Sequence, residues 1–395
     1  MRQPEQEGQS EAHMLRSVIK TGTSRFLHCA GIDRLLARQT NYPVVFGYHK
    51  VVPNFPSAAE GVIPPMLISS RMFEQHLDWI GQRYSFISLD DIGSTLEQGK
   101  TFQRPVAAVT FDDGYRDIYH NALPILKRKG IPAAVFVVTG SVGTSHVLAH
   151  DKLYSLLLRV FSQSRNPSRT LSELLRPLTS VPPRILQGSG MITNPFEMTR
   201  ILLVKLSLSD VCRVVDALES RLGSPHEMMD GFKTLTWPML AEMNSSGFTI
   251  GSHTRSHILL TNEHQSTIQQ ELEQSRLDLS THLGIPINHF SYPDGRFTSD
   301  SIRAVAAAGY RYAYTTCKHH ESSQPQYTIP RTILWENSCV DNRGSFSQAV
   351  MSCHLSGFFD LFSGCDQDHT LPLKDTRYMP EHRHMRLFAW NRSRS

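Results

Sequence analysis

The chain has 395 residues, of which 40% are hydrophobic and 19% charged, a composition that supports a sizeable folded core and excludes disordered or fibrous proteins. Its net charge is only +4 and its basic residues are dispersed, so no basic stripe indicates a nucleic-acid binder. No window holds the run of about 18 apolar residues of a membrane span, and the polar start lacks a secretory signal, which predicts a cytoplasmic protein.

The N-terminal segment, residues 1–41, is polar at first and then places apolar residues at helical spacing beside arginine and lysine. Two short amphipathic helices are the simpler interpretation. A helix that docks on a partner or on a membrane surface is the alternative, and it would make the protein membrane-associated.

From Tyr42 onward, short apolar runs alternate with amphipathic helical patterns. Strands that are apolar on both faces and separated by helices indicate a parallel sheet covered by helices, as in a (β/α) barrel or an open doubly wound sheet. Five strands are predicted: Pro43–His49, Val106–Phe111, Pro132–Val138, Phe248–His253 and His289–Pro293.

The alternation of strands and helices divides the chain into three parts. Residues 42–341 form the predicted α/β domain, which is interrupted at about residues 145–230 by helical patterns without strands. We interpret that stretch as a helical insertion between two halves of one sheet. Residues 342–395 are predicted to be a polar C-terminal extension, partly disordered.

The cysteines carry no recognisable motif. They contain no CxxC pair, which argues against a disulfide framework and against a zinc–thiolate site, so we expect reduced structural thiols. The six positions are Cys29, Cys212, Cys317, Cys339, Cys353 and Cys365.

Acids and histidines follow two of the predicted strands. Asp112 and Asp113 come directly after "VAAVTF", and His253 and His257 come at the end of "FTIGS" and four residues later. Catalytic groups collect at the carboxyl ends of parallel strands, and one carboxylate with two imidazoles can hold a divalent metal with open positions. Helix-capping acids, surface histidines and a purely structural metal site are the alternatives.

These motifs resemble those of the NodB-type polysaccharide deacetylases, carbohydrate esterase family 4. "TFDDGY" at Thr110–Tyr115 resembles the first family motif and "SHTRSH" at Ser252–His257 the second. "FGYHKV" at Phe46–Val51 is similar to the family's opening strand, "FSYPDGRF" at Phe290–Phe297 stands at the third motif, and "YTIPRTIL" at Tyr327–Leu334 resembles a late strand. The resemblance implies a deformed (β/α) barrel.

The resemblance also implies a division of roles. Asp113, His253 and His257 would hold a divalent metal, usually zinc, while Asp112 would be the general base that takes a proton from the attacking water. The substrate would be an acetylated carbohydrate.

The third motif departs from the family pattern. Where many members have Arg-x-Pro-Tyr, this chain has Ser291 followed by "YPD", so the arginine that orients the base is missing, and Arg331 is our candidate for that role. Its alternative is an ordinary surface or helix-contact arginine. The same turn is the candidate substrate-binding segment, with Tyr292, Pro293, Asp294 and Gly295.

The sequence leaves the general acid and the sugar-stacking residues unassigned. His49, at another strand end, is the preferred acid, with an alternative role in the acetyl pocket, whereas His354 in "SCHLSG" lies in a helix-like context. Tyr48 and Tyr115 could stack against sugar or belong to the core.

Three functions fit these residues. The first is release of acetate from N-acetylated sugar units of a polysaccharide or a precursor. The second is hydrolysis of a small amide or cyclic ureide, and the third is sugar binding without catalysis, which the altered third motif keeps open.

Overall fold

A computed structural model describes most of the α/β region and parts of both ends. The predicted N-terminal segment is described only in part, and the predicted tail beyond residue 370 lies outside the described residues. The described residues are 20–31, 42–59, 61–178, 181, 194–223, 231–317, 319, 321, 323–359, 365 and 367–370.

Within the described residues, ten strands form two parallel sheets. The larger has the order β1-β10-β9-β8-β7-β6-β5-β4, and β2 pairs with β3 separately. The strands are β1 (Val44–Tyr48), β2 (Lys50–Val52), β3 (Leu67–Ser69), β4 (Ser85–Phe86), β5 (Val106–Phe111), β6 (Ala133–Val137), β7 (Phe248–Ser252), β8 (His289–Ser291), β9 (Tyr312–Thr315) and β10 (Ile329–Ile333).

The larger sheet closes into a barrel because β1 has a parallel partner on each side. Val45 lies opposite Arg331 of β10 and opposite Ala108 of β5. The closed ring therefore contains seven strands, and the short β4 pairs only with the start of β5. The predicted deformed (β/α) barrel is confirmed, and the open doubly wound sheet is excluded.

Alternate residues of the barrel strands fall into two apolar clusters, as expected from the period of two along a strand. One cluster joins the inner face to a helix after β4 and contains Val45, Ala108, Ala134, Phe136, Tyr312, Tyr314 and Ile329 with Leu89 and Ile92. The other lies beneath the outer helices and includes Phe46, Val109, Val135 and Ile250. Both faces of the strands are therefore buried.

Helices cover the outside of the barrel. In chain order they are α1 (Phe55–Ala58), α2 (Ser70–Gly81), α3 (Leu89–Glu97), α4 (Leu123–Lys129), α5 (Ala149–Gln163), α6 (Pro167–Leu175), α7 (Pro195–Lys205), α8 (Leu208–Leu222), α9 (Trp237–Ser245), α10 (Gln265–Leu283), α11 (Ser299–Ala307) and α12 (Gln348–Leu355).

Helices α5 to α8 lie between β6 and β7, where the sequence predicts an insertion. They share an apolar cluster distinct from that of the barrel, with Leu156, Leu171, Leu202 and Leu218 fully or almost fully buried. The side chain of Asn262 joins this group to the barrel, since its amide donates to backbone carbonyls at the end of α7. The insertion helices thus pack mainly among themselves, while Tyr154 of α5 also joins the cluster beneath the outer helices of the barrel.

A helix at residues 20–29 precedes the barrel and contacts the chain that follows β10. Lys20 Nζ donates to the carbonyl of Ser338 at 3.0 Å, and Arg25 lies 3.5 Å from Asp341. Among the residues that the structure describes, none of the helices combines the length and apolarity required to cross a membrane.

Candidate active site

Two adjacent carboxylates stand at the end of β5. The backbone N–H of Asp112 donates to Tyr48 O at 2.9 Å, which continues the pairing with β1. Asp113 then adopts a left-handed conformation with φ of 68°, followed by Gly114 at 72°. This sharp turn keeps both acids buried at the mouth of the barrel, where they are 3% and 1% exposed.

Two imidazoles from the loop after β7 face Asp113. His253 Nε2 lies 3.6 Å and His257 Nε2 3.3 Å from Asp113 Oδ1. His253 Nδ1 donates to Ser291 O at 2.8 Å, so its Nε2 is left unprotonated and available as a ligand. The loop is held in place by Glu271 of α10, whose carboxylate accepts from two backbone N–H groups of this loop.

The three side chains fit a divalent metal. Their ligand atoms lie within 4.8 Å of one another. Both oxygens of Asp113 are buried and have no hydrogen-bond partner among the described residues, because the approach of His257 lacks hydrogen-bond geometry. Burial alone would raise the pKa of Asp113, but nearby His257 and His150 lower it well below its ordinary value. A buried, ionised and unpartnered carboxylate beside two imidazoles is a suitable cation ligand.

Arg331 binds the other carboxylate. Its guanidinium donates to both oxygens of Asp112, at 2.8 and 2.6 Å, and also to Thr110 Oγ1 and Ser291 Oγ at 3.1 and 2.7 Å. Burial tends to raise the pKa of Asp112, but Arg331 and His253 more than offset this and lower it below its ordinary value. Arg331 of β10 therefore supplies the guanidinium that the third motif lacks.

The two candidate general acids lie in different places. His49 follows β1 and is half-buried, its Nδ1 has no hydrogen-bond partner within the described part of the chain, and its proximity contributes to the lowered pKa values of both acids. His354 lies on α12, where Nε2 is 3.0 Å from Ser338 O and the ring contacts Phe359. Of the two candidate general acids, only His49 therefore lies near Asp112 and Asp113.

The third-motif turn offers one exposed side chain from the predicted substrate-binding set. Tyr292, Pro293 and Gly295 are buried, whereas Asp294 is exposed and has a left-handed φ of 54°. A Cβ on Gly295 would lie 2.0 Å from Thr316 Oγ1, so only glycine fits there. The prediction that Tyr292 touches sugar is not supported by its buried position.

Tyr115 belongs to a buried polar network instead of an exposed stacking face. Its hydroxyl donates to Asp151 Oδ2 at 2.6 Å and lies 3.0 Å from His150 Nε2. The ammonium of Lys50 is 3.8 Å from the centre of its ring. Tyr48 is also fully buried, with its hydroxyl 3.3 Å from His76 Nδ1. Neither tyrosine can stack against a sugar in this arrangement.

His150 and Asp151 are two functional candidates that sequence analysis missed. His150 Nε2 lies 3.8 Å from Asp113 Oδ2, and its ring centre is 4.6 Å from that of His257. Burial lowers the pKa of His150 to about 3 and raises that of Asp151 to about 7. Both belong to the first turn of α5, so the insertion supplies groups to the site. Sequence patterns gave little indication of these two residues because no strand ends directly before them.

A family model described as "Polysaccharide deacetylase" matches residues 99–171 and 210–313. These ranges include both acids of the first motif, both histidines of the second, and His150 and Asp151.

Curated relatives and solved structures carry related names. The chain is 31% identical over 87 residues to the putative polysaccharide deacetylase YxkH of Bacillus subtilis, covering 22% of this chain and 31% of that protein. It is 32% identical over 130 residues to poly-beta-1,6-N-acetyl-D-glucosamine N-deacetylase of Staphylococcus aureus, covering 29% and 44%. The matches thus span less than half of each curated relative.

Among solved structures, IcaB from Ammonifex degensii aligns with a TM-score of 0.49 at 18% identity and covers 80% of this chain and 98% of IcaB. The Streptococcus pyogenes deacetylase PplD, in complex with acetate, gives 0.48 at 17%, with 76% and 95% covered. The family match, the motifs at the barrel mouth and the closed parallel barrel lead to one conclusion: the chain carries a polysaccharide deacetylase domain of the NodB type.

Proposed function

We propose that this chain is a metal-dependent hydrolase that removes acetyl groups from N-acetylated sugar units of a polysaccharide or its precursor. The observation that carries the proposal is the contrast between two adjacent acids, Asp112 in the fork of Arg331 and Asp113 facing two imidazoles. Asp112 would be oriented to act as a base, and Asp113 would be available to bind a cation. The names of the curated relatives support an acetylated polysaccharide as the substrate class.

Asp113, His253 and His257 would hold the cation, and zinc, which catalytic sites bind through two histidines and one carboxylate, is our candidate ion. When bound, a divalent ion polarises the acetyl carbonyl and lowers the pKa of a water molecule. The amide is a poor electrophile, so both effects are needed. Asp113 contributes the one negative charge of this ligand set, and His253 is held in the ligating tautomer by Ser291 O.

Asp112 would accept the proton from the attacking water. Each carboxylate oxygen has two lone pairs, so Asp112 can keep both hydrogen bonds from Arg331 and still accept another. Because Arg331 stabilises the ionised form, Asp112 is ready to act as a base without first losing a proton. Arg331 is therefore a positioning residue for the base.

His49 would donate a proton to the departing amine. It lies at the same mouth of the barrel, follows β1, and has a ring nitrogen with no hydrogen-bond partner among the described residues. Asp294, exposed on the third-motif turn, is our candidate for contact with a sugar hydroxyl. Tyr115, His150 and Asp151 would support Asp113 from the side of the insertion.

The decisive experiment combines metal analysis with acetate release from N-acetylglucosamine oligomers, using wild type, Asp112→Asn and Asp113→Asn. We expect Asp112→Asn to keep its metal at the barrel mouth and lose turnover by a factor of about 100 or more, as removal of a general base implies. We expect Asp113→Asn to lose both the metal at the barrel mouth and turnover. Chelation of the wild type should abolish activity until zinc is restored.

Two outcomes would contradict this division of roles: full acetate release by Asp112→Asn, or undiminished metal at the barrel mouth in Asp113→Asn. Release of ammonia from small amides without acetate release from the oligomers would favour the small-amide hydrolase. Stoichiometric metal binding without hydrolysis of any acetylated glycan would favour the sugar-binding alternative.

A further inference from the structure

A second group of metal-ligating side chains lies outside the catalytic mouth. Cys317 Sγ is 3.1 Å from Cys365 Sγ, and His369 Nε2 lies 3.4 and 3.2 Å from these two sulfurs. The two cysteines do not form a disulfide, since that bond needs an S–S distance of about 2.05 Å. The prediction of reduced thiols agrees with this, but the prediction against a zinc–thiolate site did not anticipate that Cys317, Cys365 and His369 lie together. Local spacing missed them because the two cysteines are distant in sequence.

The histidine of this group is held in the tautomer that a metal ligand requires. His369 Nδ1 lies 3.0 Å from the carbonyl oxygen of Phe297, which can only accept, so Nδ1 carries the proton. Its Nε2 is consequently unprotonated on the side of the sulfurs. The ring is packed between Phe297 and His319, with ring-centre distances of 4.3 and 4.2 Å. Such a second contact is what orients ligating histidines in metalloproteins.

Both sulfurs accept backbone hydrogen bonds. The N–H of His319 donates to Cys317 Sγ at 3.2 Å, and the N–H of Gln367 donates to Cys365 Sγ at 3.4 Å. In each case the donor lies two residues after the cysteine. Hydrogen bonds to sulfur stabilise a thiolate, which is the form that binds metal ions.

The spacing suits a tetrahedral ion. Zinc, with Zn–S of about 2.3 Å and Zn–N of about 2.0–2.1 Å, separates two ligand sulfurs by about 3.8 Å and a sulfur from a nitrogen by about 3.6 Å. The S–S separation of 3.1 Å would need to open by about 0.7 Å, and the S–N separations of 3.4 and 3.2 Å by about 0.2 and 0.4 Å, to reach these zinc–ligand distances. Cys317 and His369 are buried while Cys365 is exposed, so an ion can enter from the side of Cys365.

We propose that Cys317, Cys365 and His369 form a second zinc site, with solvent in the fourth position. Two thiolates and an imidazole favour zinc over the harder ions magnesium and calcium. The ligands differ from the carboxylate and two imidazoles at the catalytic mouth, so the two sites are chemically distinguishable.

The position of this site indicates a structural role. Cys317 follows β9 by two residues, whereas Cys365 and His369 lie after α12, among the described residues 365 and 367–370, here called the C-terminal segment. That segment also contacts the end of the third motif and the start of α11: Gln367 Oε1 accepts from Phe297 N at 3.2 Å, and His369 O accepts from Ser299 N at 3.1 Å. An ion here would fasten the C-terminal segment to β9 and to the turn that carries Asp294.

Cobalt substitution tests the proposal with the full chain, kept reduced and free of other metals. Thiolate ligation of Co²⁺ gives an intense near-ultraviolet charge-transfer absorption, which a carboxylate and two imidazoles cannot give. We expect this absorption in the wild type and in Asp113→Asn, and its loss in Cys365→Ser and His369→Gln. Cys212→Ser is the matched control, because Cys212 is another exposed thiol on the distant helix α8 and should leave the absorption unchanged.

Zinc analysis of the same proteins gives a second measurement. Cys365→Ser and His369→Gln should each bind one zinc ion fewer per chain than the wild type, with the remaining ion lost only when Asp113 is also replaced. The proposal is overturned if the reduced wild type shows no thiolate absorption, or if Cys365→Ser retains it. It is also overturned if alkylation of the protein purified without reductant finds two thiols fewer than six, since Cys317 and Cys365 would then be a disulfide.

Discussion

Asp112 carries its negative charge in a buried position because the guanidinium of Arg331 lies against both of its oxygens. Thr110 of β5 and Ser291 of β8 accept further guanidinium hydrogen bonds, so the arginine itself is fixed from two other strands of the barrel. The orientation of the proposed base therefore depends on a residue far away in sequence. The departure of the third motif from the family pattern made Arg331 the candidate for this role, and its guanidinium lies against the proposed base.

Replacement of Arg331 should shift the pH dependence of catalysis. Arg331 lowers the pKa of Asp112, so Arg331→Gln should raise that pKa and move the acidic limb of the kcat/KM profile to higher pH. Arg331→Lys keeps a charge but loses the two-pronged contact, and it should give a smaller shift. Activity profiles on acetylated oligomers measure the effect.

Arg128→Gln is a suitable control for this shift. Its side chain is 59% exposed on helix α4 and pairs with Glu74 at 2.9 Å. An acidic limb that stays in place in Arg331→Gln, or moves equally in Arg128→Gln, would contradict the role given to Arg331.

The residues that the sequence identified share one property: each follows a strand or belongs to one. Asp112 and Asp113 end β5, His253 ends β7, and Arg331 lies within β10. His150 could not be identified this way, because it reaches Asp113 from the start of a helix. Its contact with Asp113 is set by the packing of the insertion, which local sequence patterns do not encode.

Backbone strain is concentrated where the chemistry is proposed. Among the described residues, the non-glycine residues with positive φ are Asp113, Thr254, His257 and Asp294. Left-handed conformations cost about 1–2 kcal/mol for such residues, and a β-branched threonine is among the least tolerant. The barrel offsets this cost through burial of the surrounding strands, and the strained backbone directs the ligating side chains towards one point.

At the scale of elements, the third-motif turn shows how closely a loop packs against its neighbour. Gly295 and Gly284 have nearly equal φ values of 63° and 66°. A Cβ would meet Thr316 N at 2.4 Å in the first case, and nothing within 4 Å in the second. The two glycines therefore separate the cost of backbone conformation from the cost of crowding.

Alanine at these two positions should have unequal effects on the free energy of unfolding. Gly284→Ala should cost about 1–2 kcal/mol, the strain of a left-handed alanine. Gly295→Ala should add an overpacking cost of about 1–3 kcal/mol, for about 2–5 kcal/mol in total. Urea denaturation of both variants measures the difference, and equal losses would show that Thr316 moves aside freely.

Strand prediction succeeded where apolar runs were continuous and mostly failed where strands were short, although β8, with three residues, was predicted. The five predicted strands are all present, since runs such as "VAAVTF" are apolar on both faces. Strand β4 has two residues and β2 and β3 have three each, too few for a pattern. Strand β9, "YAYT", was missed because its tyrosines alternate with small residues over only four positions.

At the scale of the whole molecule, the insertion and the barrel have separate apolar clusters that meet near the catalytic mouth. Helix α5 belongs to the insertion cluster through Leu153, Leu156 and Leu157, yet its first turn carries His150 to the side of Asp113. Packing within the insertion therefore influences the geometry of the catalytic groups.

Leu218→Ala tests this coupling. Leu218 is 0% exposed in the insertion cluster, so its truncation should cost about 2–5 kcal/mol. Hydrogen exchange should show increased opening of helices α5 to α8, with smaller changes in the barrel strands. Leu277→Ala on α10, where the leucine is 56% exposed, should change stability by less than about 0.5 kcal/mol. Uniform loss of protection across both clusters would contradict separate packing.

Closure of the barrel between β1 and β10 also determines when a growing chain could become active. A ribosome that has completed residue 257 has already made both acids and both histidines, but the edge of β1 that pairs with β10 is still open. Arg331 belongs to β10, so the proposed base lacks its hydrogen-bond partner until β10 has been synthesised and has joined the barrel. Since domains fold as their sequence emerges, the ligands precede the barrel that orients the base. Nascent or prematurely ended chains would thus carry the recognisable motifs without the means to attack an acetyl group.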